Sequence, residues 1–130
     1  MSARKLAIVL VIIIAALAAG SGPTTASAAQ PIKLARVIYI IKGKACECTQ
    51  KRCQAGDAVM AQVFTGARQR LVTRLDVSGE DSGAATYIQR YKVFTVPALL
   101  FLDAQGNLLW SAQGELSREE IVKKLGQLGG

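Results

Sequence analysis

Six residues, Arg36-Val37-Ile38-Tyr39-Ile40-Ile41, do most to limit what this chain can fold into. β-branched and aromatic side chains favour a strand, and a run with almost no polar interruption offers no face to water. It is expected to lie inside a sheet, buried on both sides. Lys42-Gly43-Lys44 ends the run, and Ala45-Cys46-Glu47-Cys48-Thr49-Gln50-Lys51-Arg52-Cys53 follows. All three cysteines of the chain fall in that stretch of nine residues. From about Thr49 to Thr65 the pattern turns helical. Val59, Met60, Val63 and Phe64 share one stripe, while Gln50, Lys51, Gln54, Asp57 and Gln62 lie largely off it. Extended backwards, the stripe reaches Gly56 and then Arg52 and Cys53. Gly66 supplies a C-terminal stop. A thiol cluster at a strand-to-helix junction is a place for chemistry.

Beyond Gly66 the punctuation is regular. Arg70 to Val77 alternates as a second strand, Ser78 to Gly83 is a polar loop, and Ala84 to Tyr91 is a short helix. Val93-Phe94-Thr95-Val96-Pro97 leads into a third strand, Ala98 to Asp103. Ala104-Gln105-Gly106-Asn107 has hairpin composition, so Leu108 to Ala112 becomes a fourth, antiparallel strand. After Gly114, Ser117 is an N-cap with Glu119 and Glu120 in the first turn, where the helix dipole favours acids. Ile121, Val122 and Leu125 are expected to form the inner face of this last helix. The order β-α-β-α-β-β-α predicts an α/β fold, a mixed four-stranded sheet flanked by helices with right-handed parallel crossovers. No internal repeat interrupts it.

The first 29 residues read differently. Arg4 and Lys5 precede an unbroken apolar run, Leu6 to Ala19, then Gly20-Ser21-Gly22-Pro23 and a small polar tract, Thr24 to Ala29. That is the order of a secretory signal, with cleavage expected after Ala28 or Ala29. The apolar run is short for a membrane span of about 20 residues. An uncleaved anchor is the alternative. No cysteine sits near the end of the run to carry a lipid. Residues 30–130 are left as one small domain, periplasmic or secreted, or held at a membrane by the uncleaved segment.

With Arg4 and Lys5 removed, the net charge falls from +7 to +5. The basic residues are scattered and have no accompanying aromatic array, which argues against nucleic acid as a partner. A weak preference for acidic partners is all that this charge supports.

Export sharpens the question of the cysteines. Outside the cytoplasm thiols tend to be oxidised, and three clustered cysteines leave at least one odd thiol unless they are kept reduced for use. A staple between them would close only a small loop, whose entropic benefit is modest. Redox or metal chemistry is therefore expected over stapling.

These residues resemble the thioredoxin fold over about Arg36 to Leu128. The likeness rests on the buried strand running into cysteines at a helix start and on Thr95-Val96-Pro97-Ala98, where that family has its cis-proline. It rests too on the hairpin Leu100 to Asn107, and on Gly114 with Leu116-Ser117 opening the last helix. The resemblance implies that a cysteine at the helix N-terminus, activated by the dipole and free N–H groups, attacks a substrate disulfide. A second cysteine then resolves the mixed disulfide. It also implies that the Val96-Pro97 bond is cis and packs beside the first sulfur, with the Val96 backbone binding an extended substrate. The chain departs from the family pattern in three ways. Ala45 stands where tryptophan is usual, and the pair is Cys46-x-Cys48. Tyr39 and Ile40 occupy the region of a buried acid thought to help deprotonate the resolving cysteine. The basic residue often beside that acid is matched by Arg74.

The pairing stays open at this point. In a helix starting near Cys48, Cys48 and Cys53 are separated by about 7.5 Å of rise, beyond the roughly 4.4–6.8 Å between disulfide Cα atoms. Cys46 and Cys48 can meet in a small, strained ring. Cys53, near the apolar stripe, is either a packed core cysteine or a third thiol. Glu47 opposes thiolate formation and Lys44, Lys51 and Arg52 favour it, unless all four are simply an exposed rim. The function expected is an exported thiol-disulfide oxidoreductase using Cys46 and Cys48, with Cys53 either a third thiol or packed in the core, and Val96 and Pro97 binding substrate. It needs no cofactor; its partners are protein or small-molecule disulfides and thiols and an electron-transfer partner. One alternative is a site for Cu(I), Zn(II) or As(III) made of Cys46, Cys48 and Cys53. Another is a non-catalytic interaction domain with a static disulfide.

Overall fold

β1 (Arg36–Ile41) lies at the centre of a four-stranded sheet, as its composition requires. The computed structural model describes residues 31–79 and 83–130, so the expected signal segment and residues 80–82 of the polar loop lie outside the described residues. β1 runs parallel to β2 (Val72–Asp76), with Val37 opposite Val72 and Ile41 opposite Asp76. On its other side it runs antiparallel to β3 (Ala98–Leu102), which pairs antiparallel with β4 (Leu108–Gln113). The strand order is β2-β1-β3-β4. Every residue of β3 and all but Arg36 of β1 are buried, because helices cover both faces.

The period-2 alternation of β1 and β3 sorts their side chains into two cores. Val37, Tyr39, Ile41, Leu99 and Phe101 face α1 (Glu47–Val63) and α3 (Arg118–Leu128), meeting Cys53, Met60, Val63, Phe64, Ile121 and Leu125. Ile38, Ile40, Ala98, Leu100 and Leu102 face α2 (Ala84–Tyr91), meeting Ala84, Tyr87, Ile88 and Tyr91. The edge of the Phe64 ring and the Trp110 indole both meet Phe101 at steep angles, an arrangement aromatic quadrupoles favour.

Three local expectations are corrected. The second strand begins at Val72, not Arg70, because Gly66–Leu71 forms a 3-10 helix and pairing with β1 starts at Val37. α1 begins at Glu47, two residues early, since Cys46 is extended (φ −62°, ψ 157°) and caps it. Val122 is not on the inner face of α3: it is 43% exposed while Ile121 and Leu125 are buried. The stripe runs Ile121, Leu125, Leu128 at i, i+4, i+7, which turns Val122 about 100° away from Ile121. Ser117 does cap α3, its Oγ accepting from the Glu120 N–H at 3.4 Å.

The loop from β1 to α1 is held from β2. The Asp76 carboxylate accepts from the Gly43 N–H at 3.0 Å and the Ser78 N–H at 2.8 Å, and the Lys44 N–H donates to Ser78 Oγ at 2.9 Å. The Gly43 bond, then the Ser78 one, holds the Asp76 carboxyl below the usual carboxylate range. These bonds aim the chain at Cys46.

Candidate functional site: a thiol pair at a helix N-terminus

Cys46 is the N-cap of α1 and Cys48 the second residue of its first turn. Both thiols are free and exposed, with their sulfurs 3.9 Å apart. Cys46 Sγ lies 3.3 Å from Thr49 Oγ1. The Thr49 hydroxyl, then the Thr49 backbone N–H and the Cys48 thiol, lower the Cys46 pKa from 9.0 to about 7. Amides at a helix start, which lack partners within the helix, favour the thiolate. Glu47 is tied to Lys51 at 2.6 Å, which offsets the repulsion expected between its carboxylate and a thiolate.

Cys53 is elsewhere. It is 5% exposed, on the core face of α1, and its backbone carbonyl accepts a 3.3 Å hydrogen bond from the Tyr39 hydroxyl. Among the described residues no three His, Cys, Asp or Glu side chains are grouped so as to hold a metal ion. The three-cysteine metal site is therefore not assembled: helical rise carries Cys53 some 10 Å along the axis from Cys46.

Tyr39 fills the place expected to lack an acid, and an acid approaches it from the helix. Asp57 of α1 pairs with Arg74 at 3.2 Å, and Arg74 stands opposite Tyr39 in the β1–β2 register. Burial first, then Asp57, pushes the Tyr39 hydroxyl pKa up. Cys53, Asp57 and Arg74 together line a cavity of about 270 Å³. Sequence reasoning missed Asp57 because a charge off the apolar stripe reads as solvated surface. It missed Thr49 too, although its spacing three residues after the cap was a usable signal.

The Val96-Pro97 bond is cis, as the resemblance implies. The Pro97 ring meets α1 at Gly56, where an added Cβ would stand 3.1 Å from Pro97 Cγ. Gly56 is ten residues past Cys46, roughly 15 Å of helical rise. The loop is fixed there by the Gly114 N–H, which donates to the Pro97 carbonyl at 2.8 Å. Gln113 Oε1 also accepts from the Phe94 and Thr95 N–H groups at 2.8 and 3.3 Å. A cleft of about 350 Å³ runs alongside, lined by Lys51, Arg52, Gly56, Gly114, Glu115 and Leu116. Cys48, Arg52 and Gly56 follow one another at i, i+4 spacing, so it is Cys48 that shares the face of α1 turned to the cis-proline loop.

No protein-family model matches the sequence, and no curated protein sequence matches it. Solved structures do. Thioredoxin O2 from Arabidopsis thaliana, in its oxidised state, matches with a TM-score of 0.52 at 19% identity, covering 74% of this chain and 76% of that one. A thioredoxin from Malassezia sympodialis matches with a TM-score of 0.51 at 14% identity, covering 76% and 82%. By its strand order, its cis-proline and its helix-start cysteines, the chain is a thioredoxin-fold protein. Identity this low speaks for the fold alone.

Proposed function

We propose that this protein is an exported thiol-disulfide oxidoreductase acting through Cys46 and Cys48. The observation that carries the reading is the Cys46 thiol at the cap of α1, lowered to about 7, with a second thiol 3.9 Å away. At neutral pH a large fraction of Cys46 is thiolate, the nucleophilic form. It attacks one sulfur of a substrate disulfide, forming a mixed disulfide and expelling the other sulfur as a thiolate. Cys48, deprotonated in turn, attacks Cys46 Sγ and expels the second substrate thiolate. The substrate gains two electrons and the pair is left as a disulfide, its two protons passing to the released thiolates. Closing that bond at about 2.05 Å needs the two sulfurs to approach by about 1.9 Å. Side-chain rotation at an exposed helix end supplies such movement.

Val96 and Pro97 support substrate binding across the cleft, so an extended substrate reaches from the loop along Arg52 to the Cys46–Cys48 pair. Cys53 is outside the exchange. Export is supported by the charged, apolar and small-residue order of residues 1–29. An N-terminus at Ala29 or Gln30 in protein recovered outside the cytoplasm checks it; full-length protein there does not fit cleavage. Reduction of insulin by the dithiol form tests the chemistry. Cys46→Ser is expected to abolish turnover, Cys48→Ser to trap mixed disulfide, and Cys53→Ser to leave the rate within about twofold. A wild type no faster than the Cys46→Ser/Cys48→Ser double variant refutes the reading.

A further inference from the structure

Disulfide exchange does not exhaust what two thiols at this spacing can hold. A metal–thiolate bond is about 2.3 Å long. Two such bonds drawn to sulfurs 3.9 Å apart enclose about 116° at the ion, between the tetrahedral and trigonal values. The observed separation therefore suits a bidentate chelate as it stands. Both thiols are exposed, so an ion held between them keeps one side open.

We propose that Cys46 and Cys48 form a two-thiolate site for a soft monovalent ion of the Cu(I) type, with a coordination position left open to a thiolate of an incoming carrier. The donor set points to a soft ion: it is all sulfur, and the chain contains no histidine. Charge points the same way. Two thiolates around a monovalent cation carry a net −1, and the complex sits at the N-terminus of a helix of 17 residues, whose free N–H groups favour negative charge. The nearest acid in sequence, Glu47, is occupied by Lys51. Cys53 takes no part, being packed on the core face with its carbonyl held by Tyr39. The chain thus lacks the third sulfur that would close the site, and a site open on one side suits passing an ion on rather than storing it. Two S–Cu bonds form, each thiol gives its proton to solvent, and copper stays monovalent, so no electrons move.

Titration of the reduced protein with Cu(I) in the absence of oxygen, against the chromogenic chelator bathocuproine disulfonate, tests the site. One equivalent is expected to resist the chelator, with Cys46 and Cys48 both protected from iodoacetamide. Cys46→Ser and Cys48→Ser should each lose that equivalent, and Cys53→Ser should keep it; circular dichroism confirms that the variants are folded. Complete stripping of copper from the wild type overturns the proposal, as does retention by the Cys46→Ser/Cys48→Ser double variant. So does equal loss in Cys53→Ser, or equal protection by Zn(II), which prefers four closed ligands. Insulin reduction without copper reports separately on disulfide exchange, so either function can fail alone.

Discussion

Cys46 and Thr49 show how much one residue's place on a helix decides. A cysteine in mid-helix has no free amides to lean on; Cys46 at the cap has the Thr49 hydroxyl and the first-turn N–H groups. Its alkylation by iodoacetamide should therefore rise with pH about a midpoint near 7. The sign follows from the cause: the hydroxyl and amide stabilise the charged form, so the proton leaves at lower pH than the ordinary 9.0. Thr49→Val removes the largest contribution, and the midpoint should move up toward that ordinary value. An unchanged midpoint in Thr49→Val would mean that the hydroxyl is not what activates the thiol. Cys53, five residues after Cys48, has the same chemistry and none of this environment, and should alkylate only on unfolding.

Among the elements, α3 separates what periodicity reveals from what it leaves open. Ile121 and Val122 are adjacent and equally apolar, but only Ile121 meets Phe101 and Leu125 in the core. Ile121→Ala should cost about 2–5 kcal/mol, the usual range for emptying a packed site. Val122→Ala should change stability by no more than about 0.5 kcal/mol, as exposed substitutions do. Urea midpoints of the two variants give the comparison, and similar losses would mean that the face is wrongly assigned. The elements themselves were largely legible. β1 and β3 announced themselves by runs without polar interruption, and Ser117 and Gly114 marked the ends of α3 and β4. Where the reading slipped, at Arg70 and Val122, two neighbours were equally suited to the pattern and only the partner across the contact chose between them.

At the scale of the whole molecule, Gly56 is where the parts meet. A Cβ there would stand 2.7 Å from the Tyr39 hydroxyl of β1, 3.1 Å from Pro97 and 3.4 Å from Leu116. Gly56→Ala would gain helix propensity, yet it must push apart α1, β1 and the cis-proline loop. We expect it to destabilise by about 1–3 kcal/mol through overpacking. Thermal unfolding should show a melting temperature several degrees lower, and a higher one would mean that the junction has room. Composition could not announce this role, because glycine in a helix reads as a weak point or an accident.

The sequence by itself determined the α/β layout, the buried central strand and the placing of the cysteines at a helix start. All of these depend on neighbours along the chain: periodicity, capping chemistry and turn residues act within a few positions. Only the tertiary structure decided that Cys53 is sequestered from the pair and that Asp57 and Arg74 meet beside Tyr39. It also decided that the Pro97 ring meets α1 at Gly56. Those outcomes hang on how far a helix slides along the sheet before its side chains interlock. That distance is set by packing between residues remote in sequence, which no local pattern records.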